Sequence, residues 1–171
     1  MTKTLLIGQA PGPNTDPARP LYPFPASSAG GRLCKFMGIS VDEYLETFDR
    51  VNLLQEFPGK EGKEDKFPPR LAKVAAAAIL PLLEGRTVVF LGRNVANSFG
   101  YSALNFHSWD FHPGLRMRIA CVPHSSGRSH WYNSPENVRR SIDFWQEHIR
   151  GRKTSGLRLL RTERMMPATS P

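Results

Sequence analysis

Four short apolar runs, each closed by a loop bearing glycine or proline, constrain this chain more than any other feature. They are "TLLIG" from Thr4 to Gly8, "RVNLLQ" from Arg50 to Gln55, "RTVVFLG" from Arg86 to Gly92 and "RMRIACVP" from Arg116 to Pro123. Each has the length and aliphatic content of a buried strand. Helical stretches separate them. "AGGRLCKFMG" reads as a short helix, and "SVDEYLETF" opens with Ser40 as N-cap and Glu43 three residues on, a capping box. "PRLAKVAAAAILPLLEG" is a strong helix whose last turn Pro81 kinks. Ser134 to Arg150 forms a final helix, with Pro135 at the first helical position. This alternation predicts an α/β fold, a three-layer α/β/α sandwich around a central four-stranded parallel sheet.

In such a sheet the ligand lies outside the carboxyl ends of the strands. Four loops then meet: "GQAPGPN", "NLLQEFPG", "GRNVANSFG" and "PHSSGR". The last changes character abruptly, from an apolar strand to His124, Ser125, Ser126, Gly127 and Arg128. Topology alone makes a ligand the reason for so many donors at one place.

A length of 171 residues suits one domain with a real core, and the apolar and charged contents, 40% and 22%, are those of a globular protein. Cys34 and Cys121 have no paired spacing, which suits a reduced cytoplasmic chain without a disulfide framework. No apolar run approaches a membrane span, and the first ten residues are too polar for a signal peptide. The net charge is +8, concentrated at one end: six basic residues from Arg150 onward face the single acid Glu163. Residues 151 to 171 are accordingly read as a basic extension to a domain spanning residues 1 to 150. A basic chain suits a polyanion; a solvated tail that aids solubility is the plain alternative.

The loop residues also carry two readings each. "GQAPG" lets backbone N–H groups approach a ligand, or is simply a tight turn; without a "GK" followed by Ser or Thr it is no phosphate-binding P-loop. Phe24 is a core ring or a stacking ring. Asn52, inside an apolar strand, must bond neighbouring backbone or face a ligand. His124 is a structural histidine or a site residue. His107, Asp110 and His112 lack a recognised metal-ligand spacing and read as a solvated loop.

Taken in order, "GQAPG" after the first strand, "PF" before a small-residue loop, an Asn in the second strand and "PHSSG" after the fourth resemble the uracil-DNA glycosylase superfamily. Its members share a first motif of the type Gly-x-x-Pro and a last motif of the type His- or Asn-Pro-Ser. The resemblance spans roughly residues 4 to 150 and is closest to the branch whose first motif reads "GEAPG".

The resemblance implies a DNA-repair enzyme, a monomer acting in base excision on uracil in single- or double-stranded DNA. Gly8 to Gly12 would wall the catalytic water. Phe24 would stack on the flipped base beside Ala10, and Asn52 would pair with uracil N3–H and O4, rejecting cytosine. His124 would donate to uracil O2 as the glycosidic bond breaks, a donor of a kind worth ~3 kcal/mol, or roughly 100-fold in rate. Ser28, Ser125, Ser126 and Gly127 would meet phosphates, and Arg128 would enter the duplex where the base left.

The departures are specific. Gln9 stands where the "GEAPG" branch has Glu, and Ala10 stands where other branches have Asp or Asn. A neutral amide orients water but cannot take its proton, which leaves Asp16 as the nearest carboxylate. His124-Ser125-Ser126 replaces the usual His-Pro-Ser. The "GEAPG" branch usually carries an iron–sulfur cluster held by four cysteines, and the two here cannot ligate one, so no iron–sulfur centre, other metal or cofactor is expected. A binding module for uracil-containing or abasic DNA, and a hydrolase of another deaminated or modified base, are the alternatives.

Overall fold

The computed structural model describes residues 2 to 164, with side chains through residue 155. Its main sheet has five strands in the order β2-β1-β5-β7-β6: β1 Thr4–Gly8, β2 Phe48–Asn52, β5 Thr87–Leu91, β6 Trp109–His112 and β7 Met117–Val122. A separate hairpin pairs β3 Lys60–Glu61 with β4 Glu64–Asp65. The helices are α1 Ala29–Met37, α2 Val41–Thr47, α3 Pro69–Ile79, α4 Arg93–Ser98 and α5 Pro135–Arg164. The fold is therefore mixed α/β with a mostly parallel sheet.

Alternate residues of the central strands enter two separate cores. Leu5, Ile7, Val88, Phe90 and Ile119 pack with Ala72 and Ala76 of α3 and Val95 of α4. Leu6, Val89, Leu91, Ala120 and Val122 pack with Leu33 of α1, Tyr44 of α2 and Trp145 of α5. Burial on both faces is why these strands read as continuous apolar runs rather than alternating ones. No described helix is long and apolar enough to cross a membrane.

The expected four strands become five. β6 runs antiparallel along β7, pairing Trp109 with Ala120 and His112 with Met117, so Asp110 and His112 belong to an edge strand and not to a solvated loop. His107 is also drawn in: its backbone N–H donates to Cys121 O at 2.9 Å, and its Nε2 lies 2.9 Å from the buried Ser141 hydroxyl. The charged stretch after β2 contains the β3–β4 hairpin, and "RNVANS" is helical. Pro81 falls where α3 gives way to a 3-10 turn over Leu80–Leu83, as its missing N–H requires. The last helix does not stop at Arg150. It continues to Arg164, so the boundary between domain and basic extension falls inside α5. Arg152 donates to Thr4 Oγ1 at 3.1 Å, and Lys153 pairs with Glu43 at 2.8 Å, tying the first residues of that extension to β1 and α2. The side chains from Arg158 onward lie outside the described residues.

Candidate functional site

The four parallel strands bring Gly8, Asn52, Leu91 and Val122 to one edge of the sheet, and the chain order reverses between β1 and β5. A crevice opens at such a reversal because the loops leave in opposite directions.

Gly8 is paired in register with Asn52. A Cβ on Gly8 would lie 2.5 Å from Asn52 Oδ1, so only glycine lets the amide lie across the end of β1. Past the strand ends the pairing continues, with Leu53 N–H donating to Gly8 O at 2.8 Å and Leu54 N–H to Gln9 O at 2.9 Å. The "GQAPG" backbone is thereby fixed against the end of β2. Asn52 is only 8% exposed, yet its side-chain amide has no hydrogen-bond partner among the described residues. Only its backbone carbonyl is used, accepting from Gln55 Nε2. Asn52 lines the cleft beside β2 and its amide is not sealed from solvent, so it is available to a ligand.

His124 follows β7. Ser126 N–H donates to its Nδ1 at 3.2 Å, so Nδ1 is the acceptor and the ring proton sits on Nε2. Burial is the main influence on its pKa, holding it below the ordinary histidine value, with the Asp65 carboxylate acting in the opposite sense. The ring is thus a neutral donor through Nε2, which has no partner among the described residues. Gly92, at φ +106°, lets the chain turn beneath it: a Cβ there would stand 3.5 Å from His124 Cβ in a backbone conformation that other residues rarely adopt. Tyr132 Oη donates to Pro123 O at 2.9 Å and holds the residue just before His124.

The neighbouring hydroxyls are already used. Ser28 caps α1, accepting from Gly31 N–H at 3.1 Å while donating to Tyr22 O at 3.0 Å. Ser125 is fully buried and donates to Ala29 O at 3.1 Å, fastening the His124 loop to α1. Neither hydroxyl proton is available to a phosphate in this arrangement. Ser126 keeps an unspent side chain, and Gly127 is exposed at the loop tip. Arg128 forms an exposed ion pair with Asp65 of the hairpin, 3.2 Å apart. Asp65 is the carboxylate nearest in influence to His124, and nothing in a six-residue charged stretch marks it as such.

Two further residues stand apart from this group. Phe24 is 76% exposed, which excludes a core role and leaves a bare ring. Asp16 accepts from Ala18 N–H at 2.9 Å and faces Arg19 at 4.0 Å, so its carboxylate is occupied within its own exposed loop. The side chain of Gln9 is partly buried and has no hydrogen bond among the described residues. A cleft of ≈570 Å³ follows the outer edge of β2, touching Asn52 and Gln55 but not His124. Its carbonyls are partly closed, since Arg50 Nη1 donates to Phe48 O at 2.8 Å. The unspent donors lie instead at the loops.

No family model and no curated protein matches this chain.

Among the described residues, no three His, Cys, Asp or Glu side chains gather as a metal would require. Cys34 and Cys121 are both buried and unbridged, and burial pushes each thiol up to about 11. Neither is a nucleophile near neutral pH. What the group at the sheet edge can do is bind a planar heterocycle by its edge: an amide that both donates and accepts, and a neutral imidazole N–H for an oxygen that gains charge.

Proposed function

We propose that this protein is a DNA glycosylase that flips uracil out of DNA and hydrolyses its N-glycosidic bond, leaving an abasic site. The observation that carries this reading is the pair of unspent polar groups at the sheet edge, the Asn52 amide and His124 Nε2–H. Uracil presents N3–H as donor with O4 and O2 as acceptors. Asn52 Oδ1 accepts from N3–H and Nδ2 donates to O4, whereas cytosine reverses both roles. As the bond to the sugar stretches, electrons collect on the base and charge builds on O2. His124, already neutral and oriented through Nδ1, donates to that oxygen without losing its own proton. The exposed Phe24 ring is available to stack on the base. On the same reading the fold is a three-layer α/β/α sandwich, with helices over both cores, working on DNA in the cytoplasm.

A second reading, binding with little turnover, is favoured by one observation: Asp16 is held in its own loop, and Gln9 carries no charge. No first-motif carboxylate is then present to take a proton from water. An excision assay on single- and double-stranded oligonucleotides carrying one uracil, with binding measured in parallel, separates the two. Strand cleavage after alkali, dependent on uracil, supports the glycosylase. Tight uracil-dependent binding without cleavage supports the binding module, and the absence of both cleavage and binding overturns both readings.

A further inference from the structure

Arg32 stands one turn into α1, and its guanidinium lies over the Tyr132 ring, with Cζ 5.3 Å from the ring centroid. Phe36 flanks it at 5.9 Å and stacks on Tyr132 at 5.0 Å between centroids. The guanidinium lies under the tip of the His124 loop, its Nη1 3.6 Å from where a Cβ on Gly127 would be. Among the described residues it has no carboxylate and no carbonyl partner, and its Nε is closed to solvent with nothing to bond. Arg50, Arg86, Arg93, Arg116, Arg128 and Arg152 each donate to an oxygen. Arg118 and Arg140 also lie over rings, those of Trp109 and Trp131, without an oxygen partner among the described residues, and what sets Arg32 apart is its place beside Gly127.

A guanidinium cannot shed its proton, so one with no acceptor in the protein leaves its open nitrogens to water or to an anion. Arg32 is held flat by the ring beneath it, with its terminal nitrogens left open to solvent beside a residue that has no side chain. That is a preorganised fork for two oxygens of a tetrahedral anion. We infer that Arg32 binds a backbone phosphodiester of DNA at the tip of the loop that carries His124. The unspent Ser126 hydroxyl is the second donor there, and it takes the place that Ser28 and Ser125, both committed within the fold, cannot fill. The inference rests on the glycosylase reading, because a base lying between Asn52 and His124 brings its own phosphates past this loop.

The test is binding of a fluorescent duplex with one abasic-site analogue, followed across a salt series and needing no turnover. Arg32→Gln and Arg32→Met remove the charge while keeping the stem on Tyr132. Either should weaken binding about tenfold or more. The logarithmic salt slope should become shallower by about 0.9, the share of one phosphate contact on duplex DNA. Arg32→Lys should restore the slope while recovering affinity only in part, since it lacks the fork. If both neutral variants fold, as judged by thermal melting, and keep the wild-type slope, the inference is overturned even where affinity drops. A neutral variant that fails to fold leaves the decision to Arg32→Lys beside the other. If neither neutral variant folds, Arg32 is a packing residue and the inference also falls. Inorganic phosphate at matched ionic strength should compete weakly; competition as strong as that of unlabelled duplex would make this a free-anion site. Absence of salt-dependent DNA binding by the wild type is a different result, which removes the glycosylase reading itself.

Discussion

On the proposed glycosylase reading Asn52 and His124 act through single hydrogen atoms, so conservative substitutions at each are informative. Replacing His124 with Ala should reduce uracil excision by roughly 100-fold or more, through loss of the donor to O2. The melting temperature should barely move, because the ring packs at a strand end and its Nε2 bonds nothing in the fold; turnover at the wild-type rate would dismiss His124 from the mechanism. Asn52→Asp keeps the shape of the side chain and removes its donor. It should narrow the preference for uracil over cytosine, measured as the ratio of excision or binding on matched oligonucleotides. An unchanged ratio would make Asn52 a structural amide. Gln9→Glu should raise turnover, more so as pH rises through its carboxyl pKa, because burial favours the protonated acid. Asp16→Asn should change nothing, since that carboxylate is occupied by Ala18 N–H and Arg19. A large loss there would show that the loop rearranges to bring Asp16 to the water.

Between β1 and α5 a buried histidine contributes to the response to acid, as does His107, whose pKa burial also holds down to about 4. Arg152 donates to Thr4 Oγ1, and the same hydroxyl lies 3.0 Å from His148 Nε2, donating to it or accepting from it according to the ring's tautomer. Near neutral pH the His148 ring is uncharged. Burial holds its pKa down to about 4, helped by the positive charges of Arg152 and Arg118. With the folded value below the unfolded one, the unfolded chain takes up the proton first as pH falls. The stability from His148 is therefore complete above about 6.5 and is lost progressively down to about pH 4. Between pH 7 and 5 it should amount to about 2 kcal/mol. His148→Gln retains an acceptor for Thr4, so urea unfolding of this variant should show an acid limb shallower by that amount. Equal pH dependence in the two proteins would mean that the histidine titrates normally. The same elements show how far local pattern reaches. β1, β5, β7, α3 and the start of α5 are legible because each buries a long apolar stretch. β6, the β3–β4 hairpin and α4 are not, because segments of two to six residues are too short to show a period and take their conformation from a pairing partner or from the glycine that starts them.

Over the whole molecule the charge is uneven, and the basic extension provides a test of how DNA is held. Removing residues 151 to 171 would also delete Arg152 and Lys153, which bond Thr4 and Glu43, so that truncation would confuse binding with stability. Removing residues 156 to 171 spares both. It deletes Arg158, Arg161 and Arg164, and each phosphate that they neutralise should contribute about −0.9 to the logarithmic salt slope on duplex DNA. A shallower slope after this cut would assign the extension to DNA. The same slope would return it to a role in solubility.

The alternation of apolar runs and helices determined by itself that this chain builds a mostly parallel sheet, and so which loops share an edge. That follows because periodicity and burial on both faces are written residue by residue along each strand. It also placed His124 at the end of a strand and Asn52 within one, whereas the pairing of Gly8 with Asn52 at the strand ends came from the register. Which of the polar groups at that edge remain unspent was decided only in three dimensions. Ser125 is consumed by Ala29, Arg128 by Asp65 and Ser28 by Tyr22, while Arg32 is left beneath the loop with no acceptor. A hydroxyl or a guanidinium looks the same in a sequence whether or not it is satisfied. Its partner comes from a segment that the fold, and not the neighbouring residues, brings within hydrogen-bond reach.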